Sequence, residues 1–124
     1  MSARKRVLVV DDEPDVLDSL VMALEGAYDV DTARDGRAAI AMLQSAAFDV
    51  VVLDLVMPVM SGEEVLGALA GRPHPPIIVS SASRNLPDTC ARFGVTHCLQ
   101  KPYRLGLLHE KLAAVLDGDR ARPA

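Results

Sequence analysis

Short runs of β-branched and aliphatic residues alternate along the chain with stretches whose apolar positions recur at helical spacing. Arg6-Val7-Leu8-Val9-Val10 is the first run, and Val50-Val51-Val52-Leu53 and Ile77-Ile78-Val79 are two others. Runs that are apolar at consecutive positions suit strands covered on both faces of a sheet. After the first run, Val16, Leu17, Leu20, Val21 and Leu24 line one side of a helix that Pro14 opens and Gly26 closes. Tyr28 to Thr32 reads as a second strand. Asp35 caps a second helix that contains Ala38, Ala39, Met42 and Leu43.

The third strand, 49–54, runs into a loop holding Met57 and Pro58. Ser61 and Glu64 have the spacing of a capping box and predict a helix through Leu69. Turn-forming residues from Gly71 to Pro76 lead into the fourth strand, 77–80. A short helix near 86–93 has Pro87 early and Gly94 at its end. A fifth strand is predicted at 95–99, and Leu105, Leu108, Leu112 and Leu116 give the apolar side of a final helix. Five strands alternating with five helices predict an α/β fold with a parallel sheet covered on both faces. Right-handed crossovers restrict it to doubly wound forms. The expected organisation is one domain over 1–118 and a short polar tail over 119–124.

Composition narrows the picture. Half of the 124 residues are hydrophobic but only 3% are aromatic, so the core must be aliphatic. A net charge of −4 argues against nucleic acid as a direct partner. No apolar run approaches the length of a membrane span, and Met1 leads almost directly into Arg4-Lys5-Arg6 without a signal-peptide pattern, so a cytoplasmic protein is expected. Cys90 and Cys98 are too few and too ill-spaced for a zinc site and are expected to remain reduced thiols. His74, in a proline-rich loop, and His109, on the last helix, lack ligand-spaced neighbours, so neither is assigned a metal role.

The chemistry-bearing residues fall at strand ends. Asp11 and Asp12 follow the first strand, and Asp54 ends the third. Parallel strands present their carboxyl ends to one crevice, so the three acids should converge there. Converged carboxylates repel, and a hard divalent cation with oxygen ligands relieves them. Ser81 and Lys101 follow the fourth and fifth strands and can join the same crevice. Such a set suits a metal-bound anion, with the ammonium and hydroxyl taking the remaining phosphoryl oxygens. Each residue alone has a plainer reading. Asp12 could cap the first helix, Asp11 could be solvated, Ser81 could be a turn residue, and Lys101 could extend into water. Asp54 is harder to dismiss, since an acid after four apolar strand residues is seldom free of penalty.

Over about residues 5–116 the chain resembles a response-regulator receiver domain of two-component signalling. The resemblance rests on Val9-Val10-Asp11-Asp12-Glu13-Pro14, on Leu53-Asp54-Leu55-Val56-Met57-Pro58 followed by Gly62, on Ser81-Ala82 and on Lys101-Pro102-Tyr103. It implies a flavodoxin-like strand order 2-1-3-4-5. It also implies Asp54 as phosphoacceptor from a histidine kinase or phosphotransfer protein. Asp12, Asp54 and the backbone carbonyl of Val56 become direct ligands of Mg²⁺ or Mn²⁺, with Asp11 acting through metal-bound water. Ser81 is then the hydroxyl that closes on the phosphoryl group, and Lys101 the cation that contacts it. A cis bond before Pro102 is implied as well.

The downstream partner implied is a protein bound on the side made by helix four, strand five and helix five. Three departures lie on that side. Cys98 replaces the usual Tyr or Phe three residues before Lys101. Ser81 replaces the common Thr. The stretch from Ser81 to Lys101 is shorter than usual, so helix four should be short. Two other classes compete. A haloacid-type phosphohydrolase would use Asp54 as nucleophile but usually carries a second Asp where this chain has Val56. A nucleotide- or flavin-binding domain would place a Gly- or hydroxyl-rich loop after strand one, where this chain has Asp11-Asp12-Glu13.

Overall fold

The computed structural model describes residues 4–121, with side chains through Asp117. Its elements run β1 (Arg6–Val10), α1 (Pro14–Leu24), β2 (Asp29–Ala33), α2 (Gly36–Ser45), β3 (Val50–Asp54), α3 (Gly62–Leu69), β4 (Ile77–Ser81), α4 (Leu86–Phe93), β5 (His97–Gln100) and α5 (Leu105–Ala121). The five strands form one parallel sheet in the order β2-β1-β3-β4-β5. This is the doubly wound fold expected from the alternation of elements.

Because successive strand residues point to opposite faces, the apolar runs split into two layers of core. Leu8, Val10, Val51, Leu53 and Val79 pack with Ala39, Val65, Leu66, Leu86 and Cys90, from α2, α3 and α4. Val7, Val9, Val50, Val52, Ile78 and Leu99 pack on the other face with Leu17, Leu20, Leu24, Leu108 and Leu112, from α1 and α5. β3 and β4 are buried at every position, as strands central to a two-sided sheet must be. β2, at one edge, is the most exposed strand and carries Asp29 and Asp31 opposite Arg4 and Arg6.

The predicted caps form. The Asp35 carboxylate accepts the Ala38 backbone N–H at 2.8 Å. Ser61 and Glu64 make both bonds of the capping box, at 3.1 and 3.2 Å. α4 is short, as the shortened segment predicted, and ends at Gly94 in the left-handed conformation, φ 70°. β3 starts one residue later than predicted, and β2 and β5 start later because helix ends take their first residues. The Tyr28 N–H bonds to the Leu24 carbonyl, and the Val95 N–H to the Cys90 carbonyl. The backbone of α5 continues through Ala121, three residues into the stretch read as tail, and 122–124 lie outside the described residues.

One expectation is corrected outright. Cys90 and Cys98 are joined as a disulfide instead of remaining separate thiols. Gly94 reverses the chain after α4, and β5 returns beneath that helix, bringing together two positions whose sequence spacing gives no sign of contact.

Candidate functional site

The parallel register brings β1, β3, β4 and β5 to a common end. Val10 pairs with Leu53, Asp54 with Ser80, and Ser81 with Gln100. The residues at or just past these ends are Asp11, Asp12, Asp54, Ser81 and Lys101. All five sequence candidates that act through a side chain therefore lie at one edge of the sheet.

Asp11 and Asp54 are buried, at 2% and 5% exposure, while Asp12 is partly exposed. One carboxylate oxygen from each of the three lies within 4.8 Å of the others. Asp12 does not cap α1. The N-cap residue is Glu13, and no side chain caps that terminus. Asp11 is far from solvated: one oxygen accepts the Glu13 N–H at 3.0 Å and the other accepts from Lys101 Nζ at 2.9 Å. The same ammonium stands 3.6 Å from Asp54 Oδ1.

This crowding shows in the titration of the groups. Burial pushes the Asp54 carboxyl up to about 6. Lys101 draws it down, Asp11 adds to the rise, the Val56 backbone N–H draws it down, and Asp12 adds to the rise. Burial draws the Lys101 ammonium down, but its hydrogen bond to Asp11 and the charges of Asp54 and Asp11 outweigh that, and it is raised. Tyr103 is likewise raised, by burial first. Three carboxylates facing one ammonium leave the site short of positive charge. That donor set fits a hard divalent cation.

Ser81 is fully buried at the tip of β4. Its Oγ accepts the Ser83 N–H at 3.0 Å, and its carbonyl accepts the Lys101 N–H at 2.9 Å. The peptide bond between Lys101 and Pro102 is cis. Val56 lies exposed in the loop after β3. A cleft of about 570 Å³ opens beside the site between α1 and the start of α5, lined by Glu13, Val16, Leu20, Lys101, Tyr103 and Leu105 among others.

Two supporting residues went unassigned in the sequence. Gln100 donates its amide to the carbonyls of Ser81 and Ser83, at 3.2 and 3.1 Å, tying β5 to the loop after β4. Its place directly after the predicted fifth strand, next to Lys101, was the available signal. Gly62 matched the family pattern without a stated role. A Cβ there would sit 2.5 Å from the Asp54 carbonyl oxygen and 2.6 Å from the Leu55 Cα, so only glycine lets α3 approach the end of β3 this closely.

A parallel α/β sheet with three acids, a hydroxyl and a lysine at its carboxyl edge defines a doubly wound domain whose site suits a hard cation and an anionic group. The family model described as "Response regulator receiver domain" matches residues 7–113, and the chain belongs to that family, the receivers of two-component systems.

Among solved structures, the chemotaxis protein CheY4 of Vibrio cholerae is 35% identical over 92% of this chain and all of its own, with a TM-score of 0.82. The response regulator TrrA of Thermotoga maritima, solved in complex with Mg²⁺–BeF, is 33% identical over 90% of this chain and 99% of that one, with a TM-score of 0.82. Among curated relatives, the transcriptional regulatory protein TcrA of Mycobacterium tuberculosis is 37% identical over 89% of this chain and 45% of its own length. A probable cyclic di-GMP phosphodiesterase of Vibrio cholerae is 32% identical over 94% of this chain. The chain spans between 27% and half of the length of such relatives. Among the described residues, no helix is long and apolar enough to cross a membrane.

Proposed function

We infer that Asp54 is the phosphoacceptor of this receiver, and that residues 1–118 act as a single phosphorylation-controlled docking unit. The observation that carries this is the placement of the Asp54 carboxylate. It is buried at the end of β3, grouped with Asp11 and Asp12 and faced by Lys101 at 3.6 Å.

A phosphohistidine on a kinase or phosphotransfer protein is the donor class. A carboxylate oxygen of Asp54 attacks phosphorus, the P–N bond breaks, and the departing imidazole nitrogen keeps the electron pair. The product is an acyl phosphate on Asp54. Asp12, Asp54 and the Val56 carbonyl are the groups that would hold Mg²⁺ or Mn²⁺ directly, with Asp11 reaching it through water. Such a cation supplies positive charge to the phosphoryl oxygens.

Lys101 is already drawn into the crevice by Asp11 and donates to a phosphoryl oxygen by exchanging one anionic partner for another. Ser81 gives up its Ser83 contact to place its hydroxyl on the phosphoryl group, and this moves the loop that leads into α4. The α4–β5–α5 side then presents an altered surface to a downstream protein.

Intact-mass analysis after incubation with Mg²⁺ and acetyl phosphate tests the assignment. One added phosphoryl group is expected on the wild-type chain and none on Asp54→Ala. Retention of that group by the variant would place the chemistry elsewhere. Sustained turnover of a phosphomonoester would favour the phosphohydrolase reading instead.

A further inference from the structure

The disulfide between Cys90 and Cys98 lies outside the carboxylate site, yet it joins two elements that border it. Cys90 is on α4 and is 3% exposed, while Cys98 is on β5 and only partly buried. Their Cα atoms are held 6.9 Å apart. We propose that this pair is a thiol–disulfide exchange site for low-molecular-weight thiols, and that its redox state sets how firmly α4 is held to β5.

Three observations argue for exchange over a permanent staple. The bridge closes a separation of only eight residues, so it contributes little to the whole fold compared with one closing a long loop. The turn that carries α4 into β5 is made by backbone alone, since the Val95 N–H bonds to the Cys90 carbonyl at 2.8 Å and Gly94 takes the left-handed conformation, so the bridge is not needed to shape it. Finally, Cys98 gives solvent a route to the pair through the edge strand β5.

What the bridge does add is local. α4 has eight residues, an N-cap Asn85 that makes no side-chain cap bond, and only Leu86, Thr89 and Cys90 buried. Without the covalent tie, few interactions oppose its opening. The tie also ends on Cys98, three residues before Lys101 and on the strand whose Gln100 holds the loop after β4. Redox state thus acts on the segment linking the hydroxyl edge of the site to α4, and it does so without phosphorylation of Asp54.

The exchange is balanced as follows. An external thiolate attacks Cys98 Sγ. A mixed disulfide forms, the Cys90–Cys98 bond breaks, and Cys90 Sγ leaves with the electron pair and takes a proton. A second external thiolate attacks the external sulfur of the mixed disulfide, releasing Cys98 as a thiolate that is protonated in turn. The bridge gains two electrons and two protons, and two external thiols become one external disulfide. A low-molecular-weight disulfide closes the bridge by the reverse steps.

The test uses the full chain without phosphodonor, equilibrated with reduced or oxidised dithiothreitol, then labelled with iodoacetamide under native conditions and followed by amide exchange. The oxidised chain should take no label and weigh two hydrogens less than the reduced one, which should take two. Reduction should speed exchange over 86–98 on the order of tenfold to a hundredfold while β1 and β3 stay protected. The double variant Cys90→Ser/Cys98→Ser should show the faster rates under both conditions, with β1 and β3 protection reporting that it is folded. Two labelled thiols in the oxidised sample would overturn the proposal. So would a bridge that reduces only when β1 and β3 also open, or reduction that leaves 86–98 unchanged.

Discussion

Asp54 is the residue in which burial and chemistry conflict most directly. Its carboxyl rises from an ordinary value of 3.8 to about 6 in the folded chain. The folded state therefore binds this proton more tightly than the unfolded state does. The resulting stabilisation is fully present below about pH 4 and is lost as pH rises through about 6. At neutral pH the ionised carboxylate burdens the metal-free fold. Asp54→Asn should therefore stabilise the chain at pH 7 by about 1–2 kcal/mol, and by much less near pH 4. Thermal unfolding in chelator at the two pH values checks this, and an equal gain at both would contradict it. Lys101 has the complementary role. Lys101→Ala should still take a phosphoryl group but lose a charge-assisted bond worth roughly 1.5–3 kcal/mol, enough to uncouple phosphorylation from a two-state change. The phosphorylated variant's amide spectrum should resemble that of the unphosphorylated chain. A match to the phosphorylated wild type would remove Lys101 from the coupling.

At the scale of elements, close approach at one glycine holds α3 against the tip of β3. Gly62→Ala would drive a Cβ into backbone atoms at 2.5 and 2.6 Å, which cannot rotate away. A loss of about 1–3 kcal/mol is expected in denaturant unfolding. Gly67, in the same helix, has nothing within 4 Å of the corresponding position. Gly67→Ala should be neutral or stabilising by up to about 1 kcal/mol, so equal effects at the two sites would refute the packing argument. β1, β3 and β4 were readable because each is a run of buried, mostly aliphatic residues, and the α2 and α3 starts because Asp35, Ser61 and Glu64 signal caps locally. The β2 and β5 starts were misplaced because residues such as Tyr28 and Val95 bond backwards to helix carbonyls, which periodicity does not register. The Cys90–Cys98 pairing was illegible for a related reason: it depends on how β5 returns under α4. The acids of the candidate site could be read because strand ends in a parallel sheet share an edge. The steric role of Gly62 and the amide bonds of Gln100 required the tertiary structure.

For the molecule as a whole, two apolar layers cover the faces of the sheet, while three carboxylates share one ammonium at its carboxyl edge. Anything that supplies positive charge there should stabilise the entire fold, since it binds the folded chain alone. Mg²⁺ at tenfold its dissociation constant should add about 1.4 kcal/mol and raise Tm, with sodium chloride of equal ionic strength giving little. Asp12→Asn should abolish the Mg²⁺-specific rise. Calorimetry with and without the cation measures it, and a rise of equal size in that variant would assign the effect elsewhere.

The nearly aromatic-free core has an optical consequence. With no tryptophan and two tyrosines, emission excited at wavelengths that phenylalanine does not absorb comes from phenols alone, free of energy transfer to an indole. Tyr28 packs among the residues of the α1–α5 face. Tyr103 has Lys101, Asp11 and Asp54 as its charged neighbours. One of the two tyrosines therefore stands beside the carboxylates, so the unlabelled protein carries its own reporter of what enters the crevice.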